Sequence, residues 1–388
     1  MCSECKKLTE AKKKRKRSDG VEKQMISWKQ AFMLVFISYM LVALTYIPTA
    51  EATAKNVDRL VSIFITMIFA LLSLLPVWFL TKRNKNLNVI DCVQRDAKPL
   101  TKPIALFYVL AFSYTVIITT SRFSLFITSV LLVESKTAVF IMIILVAACY
   151  AAFLGIEAIA RASLFVFAVL IFSMVFSCFV LVKEVDFLNF RPFFYNGALG
   201  ILGEAAVDAS KLIEAAVLGI LAPKVVGGIK KTIITFVISF WIAVTLLALL
   251  VISILGEYSS VQLFPVYTLV SLARIGNFHR FDAILSGIWI AGDFIKAAVL
   301  IAVSSECMKY VVKGRRHRVC MALTVAVIFA FSMFASYSFE RYLAISNFIV
   351  SGIVTVVASV LIPLVFLIVD AVKKKKVGCK KCEEQSAL

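Results

Sequence analysis

Long apolar runs separated by short polar stretches dominate the chain. About ten of these runs are roughly 18 to 30 residues long, enough to cross about 30 Å of hydrocarbon as α-helices. The predicted spans lie near residues 27–48, 58–81, 103–132, 137–154, 157–182, 198–221, 231–255, 282–311, 319–337 and 345–371. This pattern predicts an all-α polytopic membrane protein with about ten transmembrane helices.

Composition agrees with a membrane protein. Hydrophobic residues make up 61% of the chain and charged residues 17%, whereas soluble domains are about 45 to 50% apolar. The predicted organisation is a basic tail over residues 1–25, a membrane domain over 26–372 and a second basic tail over 373–388.

Basic residues give a formal net charge of +19, and their placement predicts topology. They gather at residues 12–17, 82–102, 230–231, 313–318 and 373–381, and these stretches alternate with loops poorer in Lys and Arg. By the positive-inside rule both tails are cytoplasmic, which agrees with an even number of spans. The charge is not assigned to nucleic-acid binding, because no basic soluble domain is present to carry it.

The nine cysteines predict reduced thiols, because they fall in apolar spans or in predicted cytoplasmic segments. Two pairs in the tails have the spacing of half a zinc site, namely Cys2 with Cys5 and Cys379 with Cys382. Unpaired thiols are the main interpretation, and a four-thiolate zinc site is the alternative.

Catalytic motifs are missing from the sequence. Its two histidines, His279 and His317, lie beside no nucleophile or metal cluster, and no phosphate loop or hydrolase motif occurs. Neither an enzyme nor a cofactor is expected.

Buried polar residues carry the candidate chemistry. Gly200, Glu204, Asp208 and Lys211 fall on one face of the sixth predicted span, within an arc of roughly 80°. Charges at that depth are costly and face protein or a water-filled cavity, so the stripe is a candidate functional site.

Two further spans add buried charge. Arg122 lies in the third span, and Asp293 precedes Lys296 by three residues in the eighth. The pairs Asp208 with Lys211 and Asp293 with Lys296 have a spacing that allows local neutralisation. The alternative is that these groups only join helices.

Gly200 and Gly203 predict an interruption of the sixth span, since glycine tolerates the dihedral angles that a break requires. Transporters made of two inverted halves interrupt the first helix of each half. Ten spans divide into five plus five, so discontinuous helices one and six are expected. Tyr39 and Thr45 are the polar candidates in span one.

Several short segments together resemble a known family, the spore germination permeases, which are the B subunits of GerA-type nutrient germinant receptors. The resemblance covers about residues 26–370. The segments that carry it are Ile26-Ser27-Trp28-Lys29-Gln30, Thr45-Tyr46-Ile47-Pro48, Gly155-Ile156-Glu157-Ala158-Ile159-Ala160-Arg161, Asn189-Phe190-Arg191-Pro192, Phe264-Pro265 and Phe278-His279-Arg280. Span one lacks the glycine usual in its middle.

This resemblance implies a fold similar to amino acid, polyamine and organocation transporters, residence in the inner spore membrane, and partnership with an A subunit and a lipoprotein C subunit. It also implies sensing of an amino acid, sugar or nucleoside. We therefore expect a nutrient to bind among spans one, three, six and eight, at Tyr39, Thr45, Arg122, Gly200, Gly203, Glu204, Asp208 and Asp293.

Two other functions remain open. A cation-coupled amino acid transporter would use Glu204 or Asp208 as the coupling carboxylate. A scaffold subunit would bind no nutrient. The segment 263–276 is predicted to be an amphipathic helix at the outer interface, either a lid or a simple connector.

Overall fold

The computed structural model describes residues 24–45, 57–84, 87–131, 135–191, 197–272, 282–312, 314 and 316–373, with side chains from residue 286 onward in the segment that begins at 282. These residues are almost entirely helical. The α-helices, numbered in chain order, are α1 (Trp28–Leu44), α2 (Val57–Arg83), α3 (Val89–Asp96), α4 (Thr101–Phe126), α5 (Thr137–Leu154), α6 (Ile156–Leu181), α7 (Gly197–Ala209), α8 (Glu214–Leu221), α9 (Ile229–Leu255), α10 (Pro265–Ser271), α11 (Asp282–Val311), α12 (Arg316–Ala335), α13 (Phe339–Ile345) and α14 (Phe348–Val356).

Shorter helical turns connect or extend these helices. They are the 3₁₀ turns Lys98–Leu100, Val182–Glu184, Phe187–Phe190, Ala222–Lys224 and Gly256–Ser260 and the π-helical turns Ile127–Leu131 and Val357–Leu361. After the second π-helical turn, α14 continues to Lys373.

Eight described helical segments are long and apolar enough to span a membrane, so the predicted count of about ten is not confirmed. The first and sixth predicted spans account for the difference. α1 is apolar but has only 17 residues, and residues 46–56, where the first predicted span ends, lie outside the described part. The sixth span consists of α7 and α8, which are each too short to cross alone.

The predicted interruption of the sixth span is confirmed, but its predicted position is wrong. α7 runs without a break through Gly200 and Gly203, and the helix stops at residues 210–213 instead. Glycine tolerates a break without causing one. The interruption expected in the first span is not found between Trp28 and Leu44.

α11 lies at the centre of the bundle. In its most apolar 18-residue window 78% of residues are buried, against 22% to 56% in the other seven long helices. The Trp289 ring of α11 packs 4.8 Å from the ring of Phe126 in α4. Polar side chains of α11 therefore face protein and not lipid.

Both ends of the described chain lie on one face of the bundle, which we call the terminal face. β1 (Ile26–Ser27) pairs in parallel with β2 (Val225–Val226), which follows α8. The Gln24 side chain donates to the Leu154 carbonyl at 3.3 Å and fills the space beside Gly155, whose φ of 103° turns α5 into α6. These contacts hold the segment before α1 against the α5–α6 turn.

Ion pairs join α3 to the last helix on the same face. Asp370 is buried and lies 3.1 Å from Arg83 and 2.8 Å from Arg95. Asp96 pairs with Arg95 at 2.8 Å and with Lys373 at 3.2 Å. The hydrogen bond from Arg95 lowers the pKa of Asp96. This network fixes the short helix α3 across the terminal face.

The predicted interfacial helix is shorter than expected. Only Pro265–Ser271 forms a helix, and residues 273–276 lie outside the described part. Val266, Leu269 and Val270 are buried, and the Phe264 ring packs 5.0 Å from Phe126. The apolar side of α10 thus packs into the bundle instead of lying on lipid.

Candidate functional site

The break between α7 and α8 places irregular backbone inside the bundle. The backbone carbonyls from Ala206 to Lys211 each accept a hydrogen bond from the protein. The donors are Ser210 N to Ala206, Ser210 Oγ to Val207, Lys211 N and the Tyr39 hydroxyl to Asp208, Leu212 N to Ala209, Thr355 Oγ1 to Ser210 and Ile213 N to Lys211. These bonds let the helix stop at membrane depth, where unsatisfied groups are costly.

A buried ion pair fastens the beginning of α8. The Lys296 ammonium lies 3.2 Å from Glu214 Oε1 and donates to the Ser38 carbonyl at 2.9 Å. The Ser38 hydroxyl donates to the same Glu214 oxygen at 2.9 Å. All three residues are buried, so α1, α8 and α11 are joined by charges that solvent does not screen.

The predicted pair of Asp293 with Lys296 is wrong, because the long lysine side chain crosses to α8 instead. Asp293 is fully buried, and neither carboxylate oxygen has a hydrogen-bond partner among the described residues. The other predicted pair is confirmed, since Lys211 lies 3.6 Å from Asp208.

Arg59 of α2 is the principal partner of the polar stripe on α7. Its guanidinium donates to Glu204, which is fully buried, and lies 3.8 Å from Asp208. The Tyr39 hydroxyl donates to the Asp208 carbonyl at 3.0 Å. Glu204 is therefore neutralised by protein.

A cavity of about 200 Å³ lies beside the break, between α1, α4, α11, α13 and α14. Its polar lining includes three basic residues and several hydroxyl groups. The lining residues are Val42, Tyr114, Thr115, Ile118, Thr119, Arg122, Val207, Ser210, Lys211, Ile213, Lys296, Tyr342, Leu343, Ser346, Phe348, Ser351, Val354 and Thr355. We call this space the central cavity.

Arg122 is the most unusual residue of the central cavity. It is 5% exposed, and it makes no hydrogen bond or ion pair with any described residue. Lys211 and Lys296, in contrast, each have a carboxylate partner. A buried cation that no described carboxylate contacts is costly, and its guanidinium is chemically suited to an anion.

The other sequence-predicted site residues do not line the central cavity. Tyr39 and Asp208 line a second space of about 40 Å³ together with Arg59. Thr45 is buried, and its hydroxyl donates to the Leu41 carbonyl of its own helix at 2.7 Å. Gly200, Gly203, Glu204 and Asp293 line neither space.

Several site residues were missed from the sequence. Glu214 follows Lys211 by three residues, so the spacing of the polar stripe extends to it and could have identified it. Arg59 is a charge near the start of an apolar run, which is a recognisable signal. The lining hydroxyls at Tyr114, Ser351 and Thr355 give no signal, because their convergence depends on how α4 and α14 pack.

Metal ligands do not cluster in the described part of the chain: no group of three or more His, Cys, Asp or Glu residues there could hold an ion. The described cysteines, which are Cys92, Cys149, Cys178, Cys307 and Cys320, are free. Cys2, Cys5, Cys379 and Cys382 lie outside the described residues.

Comparisons with known proteins agree with this architecture. Residues 25–341 match the family model described as spore germination protein. No curated protein sequence matches the chain.

Solved structures share the fold at low identity. A Na⁺-coupled sialic acid symporter aligns with a TM-score of 0.58 and 11% identity, over 89% of this chain and 90% of that one. A manganese transporter from Eremococcus coleocola aligns with a TM-score of 0.56 and 11% identity, over 87% of this chain and 78% of that one. A nucleobase-cation-symport-1 family transporter aligns with a TM-score of 0.53 and 12% identity, over 86% of this chain and 78% of that one. These likenesses show the inverted-repeat transporter fold.

Proposed function

Because the chain belongs to the spore germination protein family, we propose that it is the membrane subunit of a nutrient germinant receptor and that the nutrient binds in the central cavity. It is an integral membrane protein with a permease-like fold. The observation that carries the proposal is the Arg122 guanidinium, which makes no hydrogen bond with a described residue and lines a cavity beside a helix break.

Ligand binding at this position acts on several helices together. The central cavity is bounded by α4 on one side and by the α7–α8 break and α14 on the other. A nutrient held by Arg122 would stabilise the arrangement of these helices that fits it best. A ligand shifts a conformational equilibrium only by its differential affinity for the two states, and contacts to both sides of the cavity provide that difference.

The partners follow from the family resemblance. The change in the bundle would pass to an A subunit and a lipoprotein C subunit in the inner spore membrane, with both tails of this chain in the cytoplasm. The terminal face, with its basic residues and ion pairs, is the cytoplasmic side in this arrangement.

Gene deletion in the sporulating host tests the proposal. Spores without this chain should fail to germinate on at least one nutrient, and the intact gene should restore the response. Spores that carry Arg122→Gln should retain the protein but respond only to much higher nutrient concentrations. Unchanged germination of the deletion strain on every nutrient that triggers the parent strain would contradict the proposal.

Cation-coupled transport is the second candidate. It is supported by the fully buried Asp293, whose carboxylate has no hydrogen-bond partner among the described residues, and by the fold shared with a Na⁺-coupled symporter. Transport predicts uptake of a labelled substrate into proteoliposomes that depends on a cation gradient, whereas a receptor binds without turnover. A scaffold subunit, the third candidate, would bind no nutrient.

A further inference from the structure

We infer that the ligand of the central cavity is a small organic anion that binds through a carboxylate and needs no ammonium group. This inference rests on the proposed function and narrows the nutrient to one chemical class. Its basis is the charge of the cavity lining, the hydrogen bonding of the helix break and the volume available.

The charged residues that line the cavity are all basic. Arg122, Lys211 and Lys296 line it, and no Asp or Glu in the described part of the chain does so. Asp208 and Glu214 neutralise the two lysines but lie outside the lining. Each lysine therefore has its own carboxylate in contact, whereas no described carboxylate contacts Arg122, which remains able to bind an anion.

The Arg122 guanidinium suits a carboxylate. Its five N–H donors form a planar fork that binds both carboxylate oxygens at once. Asp293 attracts Arg122 electrostatically, but no hydrogen bond joins the two side chains. The hydrogen-bonding capacity of the guanidinium is thus unused by the described residues.

An ammonium group finds no comparable partner. Besides the lack of a lining carboxylate, each carbonyl from Ala206 to Lys211 at the helix break already accepts a hydrogen bond. The neutral oxygens of the lining could accept from an ammonium, but they supply no negative charge, and the basic side chains of Arg122, Lys211 and Lys296 would repel it. An α-amino acid would therefore bind less well than a carboxylate of the same shape.

The other lining residues and the cavity volume suit a ligand with a short carbon chain and hydroxyl groups. Tyr114 donates to the Ile345 carbonyl at 2.9 Å, and Thr115 donates to the Ala111 carbonyl at 3.0 Å. Their oxygens keep lone pairs that accept a ligand hydroxyl. The volume of about 200 Å³ is below the roughly 300 Å³ at which pockets for drug-sized ligands begin. A short carboxylate or hydroxy acid fits these limits better than a nucleoside.

Calorimetric titration of the purified full-length protein in lipid nanodiscs tests the class directly. The probes are propionate, lactate and 2-hydroxyisovalerate, each measured beside the amino acid of the same skeleton, alanine or valine, and beside its neutral amide. At least one carboxylate should bind tenfold or more tightly than its amino acid and amide, a difference of about 1.4 kcal/mol.

Variants of Arg122 connect that binding to the site. Arg122→Gln should abolish it, and Arg122→Lys, which keeps the charge without the fork, should weaken it about tenfold. The matched control is Arg161→Gln on the exposed side of α6, which should bind normally. The thermal transition of unliganded Arg122→Gln should stay close to that of the wild type, because the substitution removes a buried cation and breaks no hydrogen bond with a described residue.

Three results would overturn the inference. If amino acids bind as tightly as the matched carboxylates, the inferred ligand class is wrong, while the proposed function would stand. Carboxylate binding that survives Arg122→Gln would place the ligand elsewhere. Failure of every compound in the panel to bind would reject the small-anion class, and gene deletion would still decide the proposed function separately.

Discussion

Thr355 donates a 2.7 Å hydrogen bond from its hydroxyl to the backbone carbonyl of Ser210. This bond connects α14 to the interruption in the sixth span, and both residues line the central cavity. A movement of α14 would therefore break a hydrogen bond of the interruption.

Thr355→Val should loosen that connection. The substitution keeps the shape of the side chain but leaves the Ser210 carbonyl without its donor, which costs about 1 to 3 kcal/mol for a buried group. A lower thermal transition of the purified protein and an altered nutrient threshold in spores are expected. Thr324→Val is the control, because that hydroxyl bonds only the Cys320 carbonyl of its own helix. Equal behaviour of the two variants would argue against a special role of Thr355.

The buried pair of Glu214 with Lys296 predicts that stability lost by removing one charge is recovered by removing both. Glu214→Gln leaves a buried ammonium without its anion and should destabilise the protein by about 3 to 5 kcal/mol. The double variant Glu214→Leu with Lys296→Met removes both charges and should recover most of that loss. Monodispersity on size exclusion and thermal unfolding in detergent measure both effects. A double variant no better than Glu214→Gln would mean that the pair is not an isolated electrostatic unit.

Glu204 should behave as a structural residue, because Arg59 and not a ligand neutralises it. Glu204→Gln should lower abundance in the membrane, while the nutrient threshold of the remaining protein changes little. Combining it with Arg59→Gln should restore abundance, since neither charge is then left alone. Quantitative immunoblotting beside germination curves separates these outcomes. A large shift in threshold at normal abundance would instead assign Glu204 to the ligand.

These charges show what a sequence can and cannot predict. The membrane class, the apolar runs and the pair of Asp208 with Lys211 follow from composition and helical spacing, because both depend on neighbours along the chain. The partner of Lys296 lies on a different helix, so spacing favoured Asp293 and missed Glu214. Arg122 was predicted as a site residue, but that no described carboxylate contacts it is visible only once α4, α8 and α11 are packed together.

The break in the sixth span illustrates the same limit. Glycine content predicted that the span is interrupted and placed the interruption near Gly200 and Gly203. In the structure it falls at residues 210–213, where Tyr39 and Thr355 supply hydrogen bonds from other helices. Backbone flexibility can be inferred locally, but the groups that satisfy an opened helix at membrane depth come from the tertiary fold.

Cysteine reactivity should report on α3. Cys92 is buried, and burial raises the pKa of its thiol to about 11. At pH 8 the thiol is therefore protonated, and it should resist a maleimide reagent until the protein is unfolded. Gln94→Cys, in a background in which all nine native cysteines are replaced by Ser, places a single thiol at an exposed position of the same helix and should react readily.

The same exposed thiol tests orientation. If the terminal face is cytoplasmic, an impermeant reagent should label Gln94→Cys only after the membrane is permeabilised. Labelling from outside intact cells would reverse the orientation, and rapid labelling of wild-type Cys92 at pH 8 would contradict its burial.

The germination dose–response of spores carrying Ser351→Phe tests the central claim most directly. Ser351 lines the central cavity, and a phenyl ring there would occupy the space of the nutrient. Ser129→Phe, at an exposed position beyond α4, is the matched control. With both proteins at wild-type abundance, we expect Ser351→Phe to raise the threshold about a hundredfold or more, or about 2.7 kcal/mol, and Ser129→Phe to leave it unchanged. A normal dose–response in Ser351→Phe spores would contradict nutrient binding in the central cavity.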